Sequence, residues 1–254
     1  MTASQPPPEP TDPNGSIRQL AAIVPFYNVG GLVIGVIQGL KKTGCHIIAV
    51  DDGSTDLAPR DFGFVDGLDC HRITHNMGKG HAILVGLESA LKNQSFKAFA
   101  VLDADGQHDP AELPRLYQAF VRNGSDLLIG ARDFAQPGVP FRSRFGNLMT
   151  ARLLRWMLGV KLPDTQSGYR IMSRRFAEAV LEEIPGGRYE TEMAIVGLAI
   201  RGNYQLDSEP IRTIYEPGNR TSHFRKVSDS WRVYRTLFRR AVARKHRSRG
   251  ATSE

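Results

Sequence analysis

The chain lacks several things, and each shortage removes a class of function. It has two cysteines in 254 residues, too few for a disulfide scaffold and without metal-like spacing. Both Cys45 and Cys70 lie in apolar surroundings and are expected to be buried small side chains in a reduced, cytoplasmic setting. Long hydrophobic runs are missing. The longest, residues 30–40, is interrupted by Gln38 and is too short to span a bilayer. No secretory signal opens the chain, and residues 1–16, proline-rich and polar, read as a disordered tail. There is no internal repeat, and no Ser/His/Asp or Cys/His set that would support a covalent nucleophile. Basic charge is missing too, except at one end. Residues 220–254 carry 11 Lys/Arg against 2 Asp/Glu, a net +9, while the remaining 219 residues carry 22 against 24, a net −2. That distribution excludes a nucleic-acid-binding core and points to an anionic partner for the C-terminal tail.

What is present is an alternation of short apolar runs and helical patterns. The runs at 19–25, 46–50, 69–74, 96–102 and 125–129 read as buried strands. Helices are predicted over 30–42, from the glycine loop 76–80 to residue 91, and from Asp109-Pro110 onward, with Asp as N-cap and Pro in the first turn. Beyond Arg132 the pattern loosens. Helices are predicted over 141–158, 173–181 and 188–200, with a short strand after the polar loop 164–170 and one or two short strands within 204–214. Such alternation gives an α/β fold, a mostly parallel sheet with helices on both faces. Ligands bind at the carboxyl ends of strands in such sheets. The polar motifs fall there: 25–28, 51–56, 76–79, 103–107 and Arg132.

The stretch VLDADGQHDP (101–110) is central. Alternation along a strand lets Asp103 and Asp105 point the same way at its end, a costly arrangement unless a cation sits between them. Asp103, Asp105 and Gln107 make an all-oxygen set suited to Mg²⁺ or Mn²⁺. Alone, the stretch reads equally as a charged surface turn. Lys79 lies in a glycine loop at a helix start, a place suited to anions, or is a solvated surface lysine. His108 is either a ligand or a loop histidine beside a capped helix start. Glu190 and Glu192 either stabilise a helix N-terminus or face the substrate.

The set VPFYN, VDDGSTD, HNMGKGHAILVGL, VLDADGQHDP, IGAR and DTQSGYR resembles family 2 glycosyltransferases. It is most similar to the branch that transfers mannose or glucose to polyprenyl (dolichyl) phosphate, over residues 17–238. The resemblance implies a GT-A (Rossmann-like) fold, a nucleotide diphosphate sugar donor of GDP-mannose or UDP-glucose type, a divalent metal at Asp103, Asp105 and Gln107, and inversion at the anomeric carbon. It places Pro25, Tyr27, Asn28, Asp52, Lys79, Asp103, Ala104 and Asp105 against the donor, with Asp51 supporting its loop. Many relatives carry an acid after the asparagine, where this chain has Val29 and Gly30, so the base stays open.

The acceptor decides the mechanism. A lipid monophosphate is already ionised near neutral pH and needs cations rather than a base; Arg132, Arg144 and Arg220 are the candidates, with His223 near them. A hydroxyl acceptor needs a base, for which Asp164 is the first candidate and Glu192 the second; a capping role for Asp164 competes. Residues 226–244 form a predicted helix with Val227, Trp231, Tyr234, Phe238 and Val242 on one face and arginines around the rest. It suits an anionic membrane surface or packs on the domain with a solvated basic face.

The expected organisation is a tail (1–16), a glycosyltransferase domain (17–219), a basic amphipathic helix (220–246) and a second tail (247–254). The expected activity is hexose transfer to polyprenyl phosphate by a peripheral protein at the cytoplasmic membrane face, with a membrane subunit as a possible partner and no nucleic acid. A soluble transferase with a hydroxyl acceptor, or a non-catalytic nucleotide-sugar-binding scaffold, are the alternatives.

Overall fold

The computed structural model of the protein describes residues 16–56, 68–132, 164, 167–188 and 190–212. The tails, the helix predicted over 141–158 and the basic amphipathic helix lie outside them. The described chain runs β1 (Leu20–Phe26), α1 (Leu32–Lys41), β2 (His46–Asp51), β3 (Leu68–Arg72), α2 (Lys79–Leu91), β4 (Ala98–Val101), a 3₁₀ turn (Pro110–Glu112), α3 (Leu113–Asn123), β5 (Leu127–Arg132), β6 (Arg170–Ser173), α4 (Arg174–Glu183), α5 (Glu190–Arg201) and β7 (Leu206–Ile211).

The strands form one sheet in the order β3-β2-β1-β4-β6-β5-β7. The β1–β2, β1–β4, β2–β3 and β5–β7 pairs are parallel, whereas β6 runs antiparallel to both β4 and β5. Alternate residues of β1 feed opposite faces. Leu20, Ala22 and Val24 pack with Val33, Ile37, Leu116 and Tyr117 from α1 and α3. Ala21 and Ile23 pack with Ile83 and Leu87 of α2 and belong to the same cluster as Phe176 and Val180 of α4. A strand covered on both sides is apolar throughout, which is why these runs do not alternate in sequence.

Local signals set most boundaries. Asp109 accepts from Ala111 N at the head of the 3₁₀ turn, and Gly124 closes α3 in the left-handed conformation. Ser173 accepts from the Phe176 N–H and starts α4. Helix α1 begins two residues later than the 30–42 prediction, because Gly30 has φ +59° and belongs to the preceding turn. Within 204–214 the described residues form a single strand. Cys70 is exposed and Cys45 only half-buried; the expectation of two buried cysteines fails because β3, which carries Cys70, is an edge strand.

The reversed strand is what positions the site. Arg170, at the start of β6, pairs with Val101 at the end of β4 and with Ile129 in β5. An antiparallel strand enters the sheet where its parallel neighbours leave it. The segment Ser167–Gly168–Tyr169 therefore lies at the carboxyl ends of β4 and β5, beside the Asp-x-Asp stretch.

Candidate active site

The first part of the site is built from loops that follow β1 and β2. Asn28 has φ +49°; its N–H donates to Ser54 Oγ at 3.0 Å, and its Oδ1 accepts from Thr55 N at 2.8 Å. Gly30 N donates to Asp56 Oδ2 at 2.7 Å. Asp51 Oδ1 accepts from Ser54 N at 2.7 Å, as expected of a loop support. Asp52 was expected to contact the nucleotide. It is buried beneath the glycine loop, with Oδ1 accepting from Met77 N at 2.8 Å and Oδ2 from Gly78 N at 2.7 Å. Its visible task is to shape that loop. Gly78 has φ +104°, and a Cβ there would lie 2.8 Å from Gly187 O, so the loop also depends on the approach to α5. Pro25 is buried in β1, with Tyr27 and Asn28 half-buried beyond it.

The centre is charged. Lys79, first residue of α2, directs Nζ to within 2.5 Å of Asp103 Oδ1 and 2.8 Å of Glu192 Oε1. Burial opposes its charge, but the two carboxylates outweigh burial and hold the ammonium above its ordinary range. Burial likewise works to raise the Asp103 pKa; Lys79, with smaller help from other cationic groups, wins and keeps it lowered. Asp105 differs: burial first, then the Asp103 charge, push its carboxyl up to about 6, although Oδ1 accepts from Gln107 N at 3.0 Å. His108 is buried, its Nε2 lies 3.9 Å from Asp103 Oδ2, and burial lowers its pKa to about 4. A buried neutral imidazole behind Asp103 fits a supporting position better than a surface loop.

The two acids form a two-carboxylate mouth rather than a cage. No group of three or more His, Cys, Asp and Glu side chains arranged to enclose a metal occurs among the described residues. A divalent cation with water and diphosphate oxygens completing its shell fits such a donor set.

The third part comes from β5, β6 and α5. Asp164 is fully buried and accepts from Arg132 Nε at 2.7 Å, Arg132 NH2 at 3.2 Å and Arg132 N at 3.2 Å. Glu192 is 6% exposed. Arg170, a fully buried arginine, donates from Nε to Ser167 O at 3.0 Å and from NH1 to Glu192 O at 2.6 Å. It thus ties the loop before β6 to the first turn of α5. A Cβ on Gly168 would lie 2.3 Å from both Asp103 carboxylate oxygens, so only glycine lets this loop rest against the metal-motif acid. Sequence reasoning passed over Gly168 and Arg170 as parts of the site. The DTQSGYR motif contained both, but nothing in it tells that β6 reverses and brings them to Asp103. Arg144, Arg220 and His223 lie outside the described residues.

Comparisons with known proteins give the fold and the family. The structure matches glucosyl-3-phosphoglycerate synthase from Mycobacterium tuberculosis, crystallised with Mn²⁺, UDP and glucosyl-3-phosphoglycerate, at a TM-score of 0.64 and 18% identity, over 94% of this chain and 86% of that one. The fold is thus the GT-A fold of glycosyltransferases. A model of the family described as "Glycosyl transferase family 2" matches residues 21–181, and the chain belongs to that family. It is 32% identical to polyprenol monophosphomannose synthase of Mycolicibacterium smegmatis, over 76% of this chain and 77% of the relative. It is 27% identical to UDP-N-acetylglucosamine–dolichyl-phosphate N-acetylglucosaminyltransferase of Methanococcus voltae, over 76% and 84%. The protein is a glycosyltransferase.

Proposed function

We propose that the enzyme moves a hexose, with inversion, from a nucleotide diphosphate sugar to a polyprenyl phosphate. The observation that carries the choice of acceptor is the state of the two candidate bases. Asp164 is closed to solvent against the Arg132 guanidinium, and Glu192 is engaged by Lys79. An acid held as the partner of a cation is poorly placed to collect a proton from a hydroxyl. A phosphate monoester needs no such step, because it reaches the site already ionised.

In this reading a phosphate oxygen lone pair forms the new bond to the anomeric carbon. The bond to the donor diphosphate breaks with its electron pair, and the nucleoside diphosphate leaves. Asp103 and Asp105, with Gln107, would hold Mg²⁺ or Mn²⁺, which when bound offsets charge developing on the leaving diphosphate. Relatives of known fold that contain Mn²⁺ with a UDP sugar support such a site. Ala104 lies between the two acids, and Pro25, Tyr27 and Asn28 border the nucleotide. Arg132, kept in place by Asp164, offers cationic charge at the end of β5, and Arg144 and Arg220 would add to it, since guanidinium forks suit phosphate oxygens. The unit spanning 17–219 would be catalytic. The basic aromatic segment 220–246 would rest on anionic lipid at the cytoplasmic membrane face, where a membrane subunit is a possible partner. Among the described residues no helix is long and apolar enough to cross a membrane.

The test is a panel of GDP- and UDP-sugars with Mn²⁺, offered polyprenyl phosphate or free polyprenol, with lipid-linked sugar as readout. Transfer to the phosphate alone, surviving Asp164→Asn and Glu192→Gln at reduced rate, is expected. Transfer to hydroxyl acceptors that either substitution abolishes would overturn the reading.

A further inference from the structure

Lys79 holds its two acids in unequal ways. Toward Glu192 it makes a hydrogen bond of ordinary geometry at 2.8 Å. Toward Asp103 it makes the closer contact, 2.5 Å to Oδ1, and no other hydrogen-bond partner among the described residues reaches that buried oxygen. Asp103 is therefore the charge the ammonium covers, and Glu192 anchors it from α5. The anchor is itself fixed, because Arg170 NH1 holds the Glu192 carbonyl at 2.6 Å.

The covered oxygen belongs to the acid best placed to bind a metal. Asp103 has little room to turn away: Gly168 lies so close that even a methyl group there would meet both carboxylate oxygens at 2.3 Å, and the buried His108 ring stands behind Oδ2. Lysine, with a long flexible stem and rotatable donors, is the movable member of the set. It also begins a helix whose N-terminus favours anions. Removing it with no replacement would leave buried acids unbalanced, a strongly unfavourable state. It can leave Asp103 only as another cation arrives.

We propose that Lys79 is an exchangeable counter-ion. Its ammonium covers Asp103 while the donor site is empty, and it passes to the donor diphosphate as a divalent cation takes the freed oxygen. This rests on the reading of Asp103 as a metal ligand. Metal and nucleotide are then coupled ligands: neither binds well alone, and each raises the affinity of the other by the same factor. Lys79 touches the donor in this scheme, and its bond to Glu192 persists throughout.

The experiment is Mn²⁺ binding by electron paramagnetic resonance on the full chain, alone and with saturating UDP or GDP. It compares wild type, Lys79→Met, Lys79→Gln and Asp103→Asn, with thermal melts to confirm folding. Wild type is expected to bind Mn²⁺ at least about tenfold more tightly with one of the nucleotides than without, within the usual range of coupling. The Lys79 variants should bind Mn²⁺ alone about tenfold more tightly than wild type and gain nothing over wild type when nucleotide is present. Equal tightening in both conditions would mean a lysine that stays in place, and no tightening would mean one that never blocked the metal; either overturns the exchange. Equal wild-type affinity with and without nucleotide overturns it even if both Lys79 variants fail to fold. Asp103→Asn separates the two ideas. If it still binds Mn²⁺ like wild type, the metal reading falls and the exchange with it. If it loses Mn²⁺ while the Lys79 variants behave as wild type, only the exchange falls. Failure of both nucleotides to bind overturns the donor reading and the exchange together.

Discussion

In the loops after β1 and β2, acids are held chiefly by backbone, although Asp51 also lies 3.5 Å from Arg72 Nε. Asp51 accepts from Ser54 N, Asp52 from Met77 N and Gly78 N, and Asp56 from Gly30 N. Around β5, β6 and α5, acids are satisfied by cations: Asp164 by Arg132, and Glu192 by Lys79. The first arrangement fixes loop shape, since each N–H has one place to point. The second balances charge across separate elements, and long side chains can exchange partners when a charged ligand arrives. The Asp-x-Asp stretch lies between them, with Asp103 paired to Lys79 and Asp105 pushed up to about 6 by burial and Asp103. One region is a rigid mould, the other an adjustable set of charges.

Substitutions can break this comparison at each point. The largest effect is expected at the boundary. Asp105→Ala should lower transfer by about 10³-fold, the loss of several kcal/mol of charge stabilisation, measured as initial rate at saturating donor; full retention would remove Asp105 from the metal site. Next is Arg132→Ala, which removes the guanidinium that bonds both oxygens of the fully buried Asp164 and should cost about 3–5 kcal/mol of stability. Chemical denaturation of Arg132→Ala beside Asp164→Asn checks this, and Arg132→Ala should be the less stable of the two. Gly168→Ala should press on the Asp103 carboxylate and reduce Mn²⁺ affinity about 10–100-fold, as for supporting groups around metal ligands, with an overpacking cost of about 1–3 kcal/mol in stability. A variant that binds Mn²⁺ normally would show that the loop yields instead. The smallest effect belongs to the mould. Asp52→Asn keeps one acceptor oxygen and strands one amide of the glycine loop, costing about 1–3 kcal/mol. It should raise donor KM more than it lowers kcat; the reverse would assign Asp52 to the chemical step.

The mould was legible in the sequence and the adjustable half was not. Each loop of the first region follows its own strand, as the Asp-x-Asp stretch does, so VPFYN, VDDGSTD and VLDADGQHDP announce both their secondary structure and their place at the carboxyl edge. Even there the bonds of Asp52 were hidden, because a carboxylate turned under a neighbouring glycine loop has the same local sequence as one turned toward a ligand. In the second region, Asp164, Gly168, Arg170 and Glu192 were visible as residues, but their partners lie 32 positions away for Asp164 with Arg132 and 113 for Glu192 with Lys79. Periodicity carries no information about such pairs.

The sequence by itself determined the alternation of strands and helices, the caps at Asp109 and Ser173, the family, and the acids at the end of β4. These depend on interactions within a few residues, or on motifs whose order along the chain is preserved in the fold. Only the tertiary structure decided that β6 enters the sheet in reverse, that Gly168 rests against Asp103, and that Lys79 stands between Asp103 and Glu192. The direction of a short strand is fixed by the sum of its packing on both faces, and the pairing of buried charges by whichever partners that packing brings together. Neither quantity exists until the chain has folded.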